Sequence, residues 1–175
     1  MLDRDENDNL VVSKDAVAAY VADLAGKYDT AGTERTFSTY DNRDITVSGG
    51  NYGWVIDQQK EADALYKDIT EKKTEVREPI YEQEAASRKI NDIGYSYIEI
   101  DLSAQRMVLY QSGSPVVDTG LVADSSTLTG VYALGEKESS AVPGGGDGET
   151  VDFWMPFTDK TGIYGKAGLD VNGYD

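Results

Sequence analysis

The chain has 175 residues, enough for one ordinary domain or two small ones, and its 39% hydrophobic and 27% charged content reads as globular. Its 32 acidic and 16 basic side chains leave a net charge of −16, which disfavours partners that need clustered Lys and Arg, namely nucleic acids and anionic lipid surfaces. It contains no cysteine and no histidine, which excludes disulfides, thiolate metal sites, a cysteine nucleophile and an imidazole base.

No residue pattern calls for a metal or a cofactor. Asp3, Asp5, Asn7 and Asn9 imitate the start of a calcium loop, but Asp8 stands at the turn glycine and Lys14 where the bidentate glutamate belongs. Residues 1–12 therefore read as a polar, solvated lead-in. No apolar run approaches the roughly 18 residues of a membrane span, so no membrane contact is expected within this segment. The polar start is unlike a signal peptide. Either the protein is cytosolic or an export segment lies upstream of this sequence.

Ser13 is placed to cap a helix to about Tyr28, with Val17, Tyr20, Val21, Leu24 and Tyr28 on one face. Strands near Thr36–Tyr40 and Asp44–Ser48, with Asp41-Asn42 between them, predict a hairpin. Asp57 can cap a second helix whose buried face is Ala62, Leu65, Tyr66 and Ile69. Thr74–Tyr81 reads as an edge strand because of Pro79. Glu82–Asp92 reads as a polar connector, giving domains at 13–90 and 91–175. Beyond it, Tyr97–Leu102, Arg106–Tyr110 and Val116–Val122 predict an antiparallel meander, with further strands at Thr129–Leu134 and Val151–Met155. Pro143–Gly148 is too glycine-rich for a regular element and lacks the Lys-Ser/Thr of a phosphate loop. The expected fold class is α+β: a small two-helix domain, then a β-rich one.

Several segments resemble one family, in order. Tyr97–Tyr110 resembles the opening hairpin of the YkuD-type L,D-transpeptidase catalytic domain. Thr127-Leu128-Thr129-Gly130-Val131-Tyr132 resembles its Thr-Pro-Thr-Gly-x-Tyr/Phe segment, and Phe153-Trp154-Met155-Pro156-Phe157 its Tyr-Trp-Met-Pro-Phe strand. Ala25–Thr30, Arg35–Phe37, Gly53–Asp57 and Arg77–Tyr81 resemble the peptidoglycan-binding domain that precedes it in many Gram-positive enzymes.

The resemblance implies work at the wall of a Gram-positive bacterium, on its outer side, with peptidoglycan stem peptides as partners. There a cysteine thiolate attacks a stem-peptide carbonyl, a histidine acts as base, and an amine of a neighbouring stem resolves the acyl-enzyme. This chain departs from the motifs that carry that chemistry. Tyr164 stands where the Gly-Ile/Phe-His segment has histidine, and no Ser-His-Gly-Cys segment occurs before Asp175. No catalytic residue is therefore assigned. Three explanations stay open: an incomplete sequence, a degenerate non-catalytic relative, or activity through other residues.

The resemblance gives Tyr132, Trp154, Met155, Phe157 and Tyr164 as substrate-groove candidates; strand-core packing is the alternative. Tyr164 is a phenol, and phenols are poor bases at neutral pH. Glu99 and Asp101 project from one strand face, where paired carboxylates could do acid–base work; a solvent-facing edge is the expectation. Twelve tyrosines fit either sugar stacking or plain strand composition.

Overall fold

The computed structural model describes residues 2–7, 10–89, 91–123, 126–143 and 148–165. In chain order its elements are β1 (Leu2–Arg4), β2 (Leu10–Val12), α1 (Lys14–Tyr28), β3 (Arg35–Ser38), β4 (Asp44–Val47), β5 (Val55–Ile56), α2 (Gln58–Thr70), β6 (Tyr81–Gln83), β7 (Tyr97–Asp101), β8 (Arg106–Gln111), β9 (Ser114–Gly120), β10 (Glu138–Ala141), β11 (Val151–Pro156) and β12 (Gly162–Gly165). All strand pairings between them are antiparallel. The expected α+β class is observed. Contacts divide the chain into two compact units, Met1–Ala31 with Gly53–Ala86 and Gly32–Tyr52 with Ser87–Asp175.

The first unit opens with a correction. Residues expected to be a solvated tail form the β1–β2 hairpin, with Leu2 opposite Val12. The Asp–Asn pattern serves as turn chemistry, since the Asn7 N–H donates to the Asp5 carboxylate at 2.9 Å. Asp8 and Asn9 lie outside the described residues. Ser13 caps α1 as expected, its hydroxyl accepting from the Ala16 N–H at 3.3 Å. The buried stripe is narrower than the sequence suggests. Val17, Val21 and Ala25 are buried, whereas Tyr20 and Tyr28 are exposed. Val21, Ala25 and Ile56 form the core, joined by Leu24, Ala62, Leu65 and Tyr81.

Asp57 caps α2, accepting from the Lys60 N–H at 3.0 Å. The edge strand expected at Thr74–Tyr81 does not form; only Tyr81–Gln83 pairs, against β5. The reason is electrostatic. Buried Glu61 of α2 accepts from the Arg77 guanidinium at 2.7 Å and from the Ile80 N–H at 2.9 Å, and Arg77 also reaches Asp68. These bonds hold the segment to the helix instead of to a sheet, with Val76 fully exposed.

In the second unit the β3–β4 hairpin forms as expected, with Asn42 at φ 61 in its turn. The β7–β8–β9 meander also forms. Its second turn is Ser112-Gly113, at φ 51 and 81, the doubly left-handed pair that two-residue hairpins prefer. Thr129–Leu134 is not a strand. Only Val131 bridges to Gly50, exchanging bonds with Gly49 and Tyr52 at 3.1 Å. The chains approach so closely there that a Cβ on Gly130 would lie 2.6 Å from the Gly50 nitrogen.

The polar connector is corrected too. Tyr81–Gln83 is β6, and Asp92 is 7% exposed, paired with Arg35 at 3.0 Å. Arg35, itself 6% exposed, also donates to the carbonyls of Thr33, Tyr52 and Asn91. The compact units thus differ from the linear division at residue 90, which would part Arg35 from Asp92 and Tyr40 from Glu99.

Glu99 does not face solvent as expected. It is 9% exposed, and both its carboxylate oxygens accept from the Tyr40 N–H at 3.0 Å. Asp101 accepts from the Ser103 and Ala104 N–H groups at 2.9 Å and from Arg43 at 3.0 Å. Both carboxylates serve as anchors for backbone. Burial pushes the Glu99 carboxyl above its usual range, opposed by the Tyr40 N–H and reinforced by Asp41 and Asp101. A carboxyl raised by folding binds more protons folded than unfolded. Stability therefore falls as pH rises from the unfolded value of about 4.3 through the folded value, and the penalty is complete above it. Glu99→Gln is expected to gain stability relative to the parent near neutral pH, with the gap closing toward about pH 4.5 in urea denaturation. A gap that does not change with pH would show that burial leaves this carboxyl unshifted.

Candidate functional site

The five aromatic and sulfur-bearing candidates sit on or beside the β10–β11–β12 sheet. Alternation along β11 decides what they can do together. Trp154 lies opposite Glu138 on one neighbour and Tyr164 on the other, so these three share a face. Met155 lies opposite Ile163, and Phe153 opposite Gly165, on the other face. Trp154 and Met155 therefore cannot line one side of a groove formed by this sheet.

Trp154 is 6% exposed, with its ring centroid 6.3 Å from that of Tyr164. It is buried on its sheet face, beside half-exposed Tyr164. Tyr132 and Phe157 form a separate tilted pair at 5.2 Å, and the Tyr132 hydroxyl donates to the Thr129 carbonyl at 3.2 Å. Phe157 is held by a turn in which its N–H donates to the Thr161 carbonyl at 2.9 Å. The structure thus brings the candidates together as two pairs, with Met155 apart from the Trp154–Tyr164 pair.

Two glycines shape these surfaces. A Cβ on Gly162 would lie 2.7 Å from the Trp154 ring, and one on Gly165 would enter the Phe153 ring. On the opposite side, the Lys137 ammonium stands 4.8 Å from the Phe153 ring centroid. The sequence signal was the pair of glycines bracketing Ile163-Tyr164, Gly165 directly opposite Phe153 and Gly162 two places along from Trp154.

Chemically, this sheet offers aromatic surface, the Tyr164 phenol and the carboxylates of Glu138 and Asp152, with the Tyr132 phenol outside its strands. No thiol or imidazole exists in the 175 residues, and among the described residues no cluster of three or more acidic side chains could hold a metal. Pro143 and Gly148 bracket residues 144–147, which lie outside the described residues, as does everything past Gly165.

Residues 7–77 match the family described as Putative peptidoglycan binding domain. Among solved structures, the chain is similar to the Enterococcus faecium L,D-transpeptidase in a cysteine-to-serine mutant form, at 27% identity and a TM-score of 0.69, over 97% of this chain and 71% of that one. It is also similar to Ldtfm, solved as its avibactam carbamoyl enzyme, at 28% identity and a TM-score of 0.67, over 93% of this chain and 67% of that one. No curated protein matches by sequence.

Proposed function

We propose that this chain binds peptidoglycan without covalent chemistry of its own, as the wall-engaging part of an L,D-transpeptidase-type protein. The peptidoglycan-binding family match and the similarity to L,D-transpeptidases together support a cell-wall function. The observation that carries the non-covalent half is chemical: 175 residues with neither thiol nor imidazole. Acyl transfer by that enzyme class runs through an activated sulfur nucleophile. Trp154, a groove candidate by resemblance, is buried beside Tyr164, which favours a packing role. Exposed Tyr164 and partly exposed Tyr132, Met155 and Phe157 remain the candidates with surface to offer a stem peptide, in a Gram-positive wall. No helix among the described residues is long and apolar enough to cross a membrane.

Avibactam provides the test of this chemistry, because one similar protein was solved as its carbamoyl enzyme. This chain, incubated with avibactam and examined by intact-protein mass spectrometry, is expected to show no added mass. A stoichiometric adduct would identify another nucleophile and overturn the non-covalent reading. Co-sedimentation with insoluble peptidoglycan tests the binding half.

A further inference from the structure

The first unit holds an open groove of about 420 Å³ between the opening turns of α1 and α2. Lys14, Asp15 and Ala18 approach it from one helix and Gln58, Asp63 and Tyr66 from the other. We propose that this groove seats an N-acetylated sugar of the glycan strand, with the Tyr66 ring as its stacking surface. The inference rests on the reading that the chain engages peptidoglycan, and it specifies the component and the place.

Four observations carry it. The Tyr66 ring lines the groove, and the Lys14 ammonium stands over its face, 5.0 Å from the centroid. That electron-rich face is the surface the C–H side of a pyranose uses. Small Ala18 leaves room beside it. Around the ring stand an amide and two carboxylates, Gln58, Asp15 and Asp63, with Gln59 donating to Asp63 at 3.0 Å. Sugar hydroxyls both donate and accept, so amides and carboxylates together can satisfy them. The volume falls in the range of small-ligand sites.

Charge selects the occupant. The groove has two carboxylates against one ammonium, on a chain of net charge −16. A neutral N-acetylhexosamine enters such a site without the repulsion an anionic stem peptide would meet. Lys14 is then displaced from the ring by the sugar and is not an anchor for it.

The test uses the 175-residue chain, N-acetylglucosamine tetramer in solution and insoluble peptidoglycan. Ala18→Arg fills the groove from an exposed helical position that arginine tolerates well; Tyr66→Ala removes the ring. Each is expected to weaken tetramer binding by about tenfold or more, with helical circular dichroism retained. Lys14→Met is expected to hold or strengthen it. A folded Ala18→Arg variant that binds tetramer like the parent would overturn the groove. A loss of tetramer binding in Lys14→Met equal to that in Tyr66→Ala would make Lys14 an anchor and overturn stacking on the Tyr66 ring. Parent chain that binds insoluble peptidoglycan but not the tetramer also overturns the sugar, while leaving the wider reading intact. Parent chain that binds neither removes both.

Discussion

Replacing Arg35 with methionine is expected to lower the unfolding free energy of the second unit by about 3–5 kcal/mol. The guanidinium is 6% exposed and bonds to Asp92 and to three backbone carbonyls at 3.0–3.1 Å. Methionine fills much of the volume but leaves the Asp92 carboxylate, 7% exposed, without its cation. Breaking a buried pair on one side costs far more than the intact pair contributes, because the remaining charge keeps its desolvation penalty. A second change, Asp92→Asn, should recover part of the loss, and the four-way comparison isolates the coupling. The measurement is convenient because the two tryptophans fall one in each unit, Trp54 in the first and Trp154 in the second. Trp54→Phe leaves Trp154 fluorescence as the reporter. A change below about 1 kcal/mol would mean that water replaces the guanidinium at little cost.

Trp154→Ala is the second large effect, at about 3–5 kcal/mol. The indole is 6% exposed and spans its sheet face between Glu138 and Tyr164. Its removal leaves a void that the glycine-lined neighbour β12 cannot fill with side chains. Tyr164→Ala, at an exposed position on the same face, should cost about 0.2–1 kcal/mol. Urea denaturation of the two variants, followed by circular dichroism, distinguishes a core residue from a groove residue. Equal, small losses would restore Trp154 as a surface available to substrate.

The legible parts of this fold were those written in short-range chemistry. Ser13 and Asp57 act as helix caps because a side-chain oxygen three residues before an N–H is a local event. The β7–β8 pairing was legible because Ile98 and Ile100 alternate with Glu99 and Asp101, and a turn leads directly into the β-prone run Arg106–Tyr110. The charged tail was misjudged because Leu2 and Val12 gain their pairing only once the intervening turn closes. The least legible contacts were the long-range ones. Arg35 and Asp92 are 57 positions apart, and nothing periodic announces such a pair. Glu99 was misjudged for the same reason, since the backbone that covers it lies 59 positions away.

At the candidate site, strand parity in the sequence already separates Trp154 from Met155, because successive strand residues point to opposite faces. The pairing of Tyr132 with Phe157 could not have been read, because it depends on a loop bridging through Val131. The α1–α2 groove was also hidden. Tyr66 was legible as part of a helix face, but the room beside it depends on how the two helices dock.

The most direct measurement of the central claim is co-sedimentation of the chain with insoluble peptidoglycan, followed by intact mass analysis of the recovered protein. The account predicts saturable binding, release by denaturant, and an unchanged mass. Protein that stays in the supernatant, or that returns with a covalently attached fragment, would contradict it.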